Sequence, residues 1–212
     1  MAKITASLFI SLDGVVEIGN GEWHLPYFND EMGAAVDAGQ GAADTMLFGR
    51  TTYDSFAGAW PGRELAGEED AEFAKKLGDM RKLVASHQDL QFTWRNSEQL
   101  QGELVETVTA LKDAAGHIAL SGSVSVVRQL LAAGLVDELQ LFVHPIAVGK
   151  GARLFDDTLP TIPLQLITTQ TFESGVLNLV YGPDTSAPQG TYDDAKQHLT
   201  HTEAGLADPG ES

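Results

Sequence analysis

Two short stretches carry residue types that hold anions: Leu120-Ser121-Gly122-Ser123-Val124-Ser125 and Phe48-Gly49-Arg50-Thr51-Thr52. Each follows a brief apolar run, Ile118–Leu120 or Met46–Phe48, and each opens into an amphipathic stretch. A strand that breaks at small residues into a helix leaves backbone N–H groups and the positive helix end facing outward. Such a place suits a phosphate. Arg50 adds a planar fork of donors, and Thr51 and Thr52 add hydroxyls. Ser86 and His87 follow a third apolar run, so they too would stand at a strand end. In an open parallel sheet ligands lie outside the carboxyl ends of the strands, where two such junctions together would clamp one extended anion. Read as structure alone, the same residues are capped turns, with Arg50 paired to a surface carboxylate.

The other candidates are weaker. Asp30 stands where a carboxylate would either relay a proton or cap a helix. Gly149-Lys150-Gly151 lies between two predicted strands, so it is a turn and not a Walker A phosphate loop. His198 and His201 share helical spacing but fall in a polar terminal stretch, and no metal site is expected. No G-x-S-x-G elbow or Ser-His-Asp order supports nucleophilic hydrolysis.

Composition narrows the field. The 212 residues fit one domain plus a tail. Thirty acidic against 13 basic residues give a net charge of -17, which opposes nucleic acid and anionic membrane surfaces as partners. The absence of cysteine excludes disulfides, thiolate chemistry and Cys-x-x-Cys zinc sites. No apolar run approaches the ~20 residues of a membrane span, and the first residues lack a basic signal-peptide region, so a cytoplasmic protein is expected.

The elements that must position these residues follow from periodicity. Lys3–Val16 alternates as a first strand, and Glu17–Trp23 is a glycine-rich loop. A helix is predicted over Asn29–Ala43, capped by Asn29 or Asp30, with Met32, Ala35 and Val36 on one face. A helix from near Thr51, a loop over Pro61–Asp70, a helix over Ala71–Met80 and a strand over Arg81–His87 come next. Glu103–Gly116 is helical, and the helix after Ser123 turns Val124, Val127, Leu130 and Leu131 inward, with Gly134 as its stop. Leu135–Gly149, Leu164–Phe172 and Val176–Gly182 read as consecutive strands. The implied fold class is α/β: a three-layer α-β-α sandwich, its sheet mostly parallel with antiparallel strands at the C-terminal side. Residues 1–183 form the domain; 184–212 are acidic, poor in large apolar groups, and expected to be disordered.

Ser11-Leu12-Asp13-Gly14-Val15-Val16, Leu47–Phe56, Arg81–Ser86 and above all Leu120–Phe155 resemble the dihydrofolate-reductase-like reductases. Within them the chain is similar to the branch containing the reductase domain of bifunctional riboflavin biosynthesis proteins. The resemblance covers about residues 3 to 182, and the cysteine-bearing deaminase half of those proteins has no counterpart in the sequence. It implies a reductase that uses NADPH to deliver hydride to a small C=N or C=O substrate, heterocycles included. The alternative is a nucleotide-binding protein of the same fold that reduces nothing. Carried over by position, Gly49, Arg50, Thr51 and Thr52 would hold cofactor phosphates, with Ser86 near the adenosine 2′-phosphate. Ser121, Gly122, Ser123, Val124 and Ser125 would face the diphosphate. The nicotinamide would lie beside the first strand and the loop at Gly19–Trp23. Asp13, Trp23 and Glu31 would be on the substrate side, and Asp30 would be the catalytic acid, with Glu31 competing for that part. The resemblance also implies a homodimer, for which the apolar strand around Leu139–Pro145 is the expected contact.

Overall fold

Alternation in the first strand sorts its side chains onto two faces. In β1 (Lys3–Ser11) Ile4, Ala6, Leu8 and Ile10 are buried on one side, and Thr5, Ser7 and Phe9 point to the other. The computed structural model describes residues 1–19, 23–114, 116–186 and 190–196. In it β1 sits inside an eight-stranded sheet built from β3 (Thr45–Gly49), β4 (Arg81–Ala85), β5 (Ser97–Gln99), β6 (His117–Ser121), β7 (Glu138–His144), β9 (Leu164–Thr171) and β10 (Leu177–Pro183). The order is β5-β4-β3-β6-β1-β7-β10-β9. All pairs up to β1-β7 are parallel, and β10 runs antiparallel to both β7 and β9.

Helices cover both faces, which gives the expected three layers. On the first face α4 (Leu104–Lys112) and α5 (Val124–Ala132) pack through Val108, Val127 and Leu130 against Ile4, Leu8, Leu47 and Leu120. On the second face α2 (Arg50–Ala66) and α3 (Ala71–Asp79) bury Tyr53 and Leu77 against Met46, Phe48 and Val84. The start of α1 (Asp30–Gly41) buries Met32 beside Phe142, Phe172 and Val176. Asn29, rather than Asp30, caps α1: its Oδ1 accepts from the Met32 N–H at 3.0 Å.

The structure departs from the sequence expectations at several elements. The first strand is not continuous to Val16. Ser11 Oγ accepts from Val15 N–H and donates to Asp13, Gly14 adopts φ +82°, and Val15–Glu17 (β2) leaves the sheet to pair with Ala152–Arg153 (β8). Pro61 does not end α2, which runs on to Ala66 and stops at left-handed Gly67. Proline removes one helical hydrogen bond, but Trp60 packs on Phe56 and Phe73, and Arg63 lies over Trp60 and pairs with Asp70. The strand expected over Leu135–Gly149 is confined to Glu138–His144, since Pro145 cannot donate to a ladder. Within 184–212, Tyr192–Lys196 forms one short helix (α6), and 187–189 and 197–212, with His198 and His201, lie outside the described residues. Among the described residues no helix is long and apolar enough to cross a membrane.

Candidate functional site

The chain moves from β3 outward to β4 and β5, then returns to place β6 between β3 and β1. This reversal opens a crevice at the carboxyl ends of β3 and β6, the position where open α/β sheets bind ligands. Both junctions singled out in the sequence meet there. Gly49 N–H donates to Ser123 Oγ at 2.7 Å across the crevice. A side chain on Gly49 would press on Ser123 and Val126, so glycine is what lets the two turns approach. Gly122 and Ser123 both take left-handed backbone, φ +85° and +61°, and Thr52 lies next to Gly122. For serine that conformation costs about 1–2 kcal/mol.

Ser123 occupies the N-cap position of α5, yet its hydroxyl serves Gly49 instead of its own helix; α2 begins at Gly49, which has no side chain to offer. Neither helix therefore has a side-chain cap, a lack shared with α3 and α4; what sets α2 and α5 apart is that their starts meet across the crevice. The first N–H groups of α2, at Arg50, Thr51 and Thr52, and those of α5, at Val124 and Ser125, have no partner within a helix. Two positive helix ends thus face the same crevice.

Arg50 is half exposed and pairs with Asp54 at 2.9 Å, as the purely structural reading expects. Its guanidinium also donates to Gln88 Oε1 at 3.1 Å, and the Gln88 N–H donates to Ser86 Oγ at 3.0 Å. Arg50 and Ser86 are therefore held side by side at the ends of β3 and β4. Gln88 carries that link and was not singled out from the sequence; its only signal was its place three residues past the end of β4.

The residues expected on the substrate side are spread more widely. Trp23 stands edge-on to His144, ring centroids 5.1 Å apart, in a cluster with Phe9, His24 and Tyr27 at the carboxyl-terminal parts of β1 and β7. His144 is fully buried, its Nδ1 donates to Phe142 O at 2.8 Å, and Nε2 makes no hydrogen bond of good geometry to a described residue. Burial pushes its pKa below the usual histidine value, so the ring is neutral at pH 7. The sequence showed it only as a histidine at the end of an apolar strand. Asp30 is exposed at the first position of α1 and makes no side-chain hydrogen bond to a described residue. Glu31 accepts from the Glu173 N–H at 2.7 Å, tying α1 to the β9–β10 turn. Asn20, Gly21 and Glu22, the centre of the loop expected beside the nicotinamide, lie outside the described residues.

Asp13 has another job. Its carboxylate accepts from Ser11 Oγ (2.6 Å), Val148 N–H (2.9 Å) and Gly149 N–H (2.8 Å), and it pairs with Arg153. These donors hold its pKa well below the ordinary carboxylate range, Ser11 contributing most. The carboxylate clasps the turn after β1 to the Gly149-Lys150-Gly151 loop, which leaves it little capacity for a substrate. A group with a depressed native pKa contributes stability above its unfolded value, 3.8 here, and loses it as pH falls below that. Asp13→Asn is thus expected to lower the melting temperature at pH 7, with the difference from wild type narrowing as the pH of the melt is taken below 4.

Residues 2–178 match the model of the RibD C-terminal domain. The chain belongs to that family. A full-length relative of this RibD C-terminal domain chain is the uncharacterized protein YyaP of Bacillus subtilis, 33% identical over 186 residues, covering 84% of this chain and 94% of that one. Among solved structures, a putative riboflavin biosynthesis protein from Shewanella superposes with a TM-score of 0.67 at 19% identity, covering 87% and 99% of the two chains. Dihydrofolate reductase from Enterococcus faecalis, complexed with NADP(H), superposes at 0.55 with 15% identity, covering 86% and 96%. The dihydrofolate-reductase-like fold expected from the sequence is therefore the fold of this RibD C-terminal domain.

Proposed function

We propose that this RibD C-terminal domain protein is a reductase that uses NADPH to reduce a C=N or C=O bond of a small, heterocyclic substrate. One observation carries the reading: two helix starts without side-chain caps, bridged by Gly49 N–H and Ser123 Oγ, face one crevice at the strand ends. Their free N–H groups fit the oxygens of a dinucleotide diphosphate. The bound cofactor would supply the hydride. Arg50 and Ser86 would hold the adenosine 2′-phosphate, since the exposed Arg50–Asp54 pair is worth only about 0.3–0.5 kcal/mol and yields readily to a phosphate. Phe9, Trp23 and His24 would shield the reacting ring from water, so that catalysis rests on positioning. Asp30, uncommitted at the start of α1, would deliver the proton.

Fluorescence titration with NADPH and NADH tests this. Arg50→Ala should weaken NADPH by about 1.5–3 kcal/mol, the range for a hydrogen bond to a charged group, which is roughly 10- to 150-fold, and NADH by less. If neither nucleotide binds the wild type, the reading is wrong. Binding without NADPH oxidation by any carbonyl or imine acceptor would leave the nucleotide-binding alternative.

The homodimer is likewise a proposal, with a changed location. β7, the strand expected to carry it, lies between β1 and β10, with Leu139, Leu141 and Phe142 buried in the core. The edge strand β9 is instead exposed almost throughout, has no charged residue in a chain of net charge -17, and presents Leu166 and Ile167 half exposed. Natural edge strands of this length normally carry charges or cover, so a second copy paired along β9 is the occupant we favour. Light scattering should give a dimer mass that Ile167→Lys reduces to monomer; a monomeric wild type would sink the idea.

A further inference from the structure

The second face of the sheet changes character beneath the C-terminal half of α1. There Thr5 and Ser7 of β1, Gln140 of β7, Asn178 of β10 and Gln170 of β9 point toward the helix, whereas the other face of β1 and β7 is apolar. A sheet covered by helices on both faces normally offers them apolar side chains. Nor does α1 fill the space: it presents Ala35, Ala38 and Gly39, and a cavity of about 400 Å³ remains. That lies within the ~300–1,000 Å³ range of small-molecule sites.

The walls are ordered for hydrogen bonding. Ser7 Oγ donates to Gln140 Oε1 at 3.2 Å, and Gln140 Nε2 donates to Asn178 Oδ1 at 3.0 Å, which fixes both amides and leaves the Asn178 amide N–H groups to donate. Gln40, only 6% exposed, lines the same cavity, and its buried Oε1 has no partner among the described residues. A buried acceptor left unmet is costly, so the Gln40 amide gains by turning toward a donor held in the cavity. Lys3 and Glu138, at the rim, neutralise each other at 2.8 Å. His117 supplies the one ring among the described lining residues, and its Nε2 is engaged by Thr5 Oγ1 at 2.9 Å.

We propose that this cavity binds a small, neutral, polyhydroxylated molecule, in a site separate from the crevice at the carboxyl ends of β3 and β6. Neutrality follows from the paired charges, and hydroxyls suit walls that offer amide donors and acceptors together. The site does not depend on the reductase reading.

Saturation-transfer NMR and calorimetry with xylitol, sorbitol and glucose on the full chain test it. Melting shifts are unsuitable, because excluded polyols stabilise any fold. Saturable binding is expected for at least one of the three, weakened about tenfold or more by Gln140→Leu and by Gln40→Leu, with NADPH titration unchanged. Gln40→Leu breaks no hydrogen bond of Oε1, so it separates loss of binding from loss of fold. Three results would overturn the proposal: no saturable binding, which means the cavity holds water only; binding that neither variant weakens; or tighter binding of glucose 6-phosphate than of glucose.

Discussion

Replacing Lys82 with methionine is expected to destabilise the fold by about 3–5 kcal/mol, toward the low end of about 1–3 kcal/mol for each of three buried carbonyls left without that donor. Lys82 is fully buried in β4, and its Nζ donates to three backbone carbonyls: Gly78 (2.9 Å), Met80 (2.7 Å) and Arg95 (3.1 Å). It also lies over the Trp94 ring at 4.3 Å. The ammonium thereby ties the end of α3 and the residue 95 turn to β4. Methionine keeps the volume and supplies no donor, so these carbonyls lose a shared partner. At roughly 2–4 °C per kcal/mol for a chain of this size, the melting temperature should fall by about 6–20 °C. Burial lowers the Lys82 pKa from 10.5 to about 8. Between those values the unfolded chain holds the proton that the native state has released, so wild-type stability gains from this group as pH rises. The gap between wild type and Lys82→Met should accordingly widen from pH 8 toward 10. An unchanged melting temperature at pH 7 would show that water replaces the ammonium without loss.

The contrast between Lys82 and the crevice shows what the sequence makes legible. A strand-glycine-helix junction is a local requirement, written in adjacent residues, so Gly49–Thr52 and Ser121–Ser125 were found and the fold brings them together. Lys82 reads as the charged start of an apolar strand, because its partners at 78, 80 and 95 are set by how α3 and the following turn dock. Asp13 is hidden for the same reason: two of its donors, Val148 and Gly149, lie 135 and 136 residues away. From its sequence β1 reads as a buried strand with two fairly apolar faces, and only the placement of α1 shows that Thr5 and Ser7 line a cavity. At Pro61 a strong local signal was overridden by packing of Trp60 and the Arg63–Asp70 pair, which hold the helix together beyond the missing hydrogen bond. The mostly parallel sheet was legible because each early strand is separated from the next by a helix-length segment, and the antiparallel end because the last strands follow without one.

Gly122→Val should reduce NADPH affinity at least about 100-fold, or close to 3 kcal/mol, while the protein stays folded. Two effects combine. At φ +85° a branched side chain is strained by about 1–2 kcal/mol, so the turn shifts and the N–H groups ahead of α5 lose their aim. The new side chain also enters the crevice: a Cβ on Gly122 meets only Thr52, at 3.8 Å, so the remaining space that a diphosphate would occupy is what the methyl groups fill. Gly134→Ala separates the two effects. Gly134 also has a positive φ, +66°, but follows the other end of α5, and a Cβ there touches nothing within 4 Å. It should cost similar strain in the melting temperature and leave NADPH binding intact. If both variants weaken NADPH equally, the loss reflects general destabilisation; if Gly122→Val binds like wild type, the diphosphate does not lie on the β6–α5 turn.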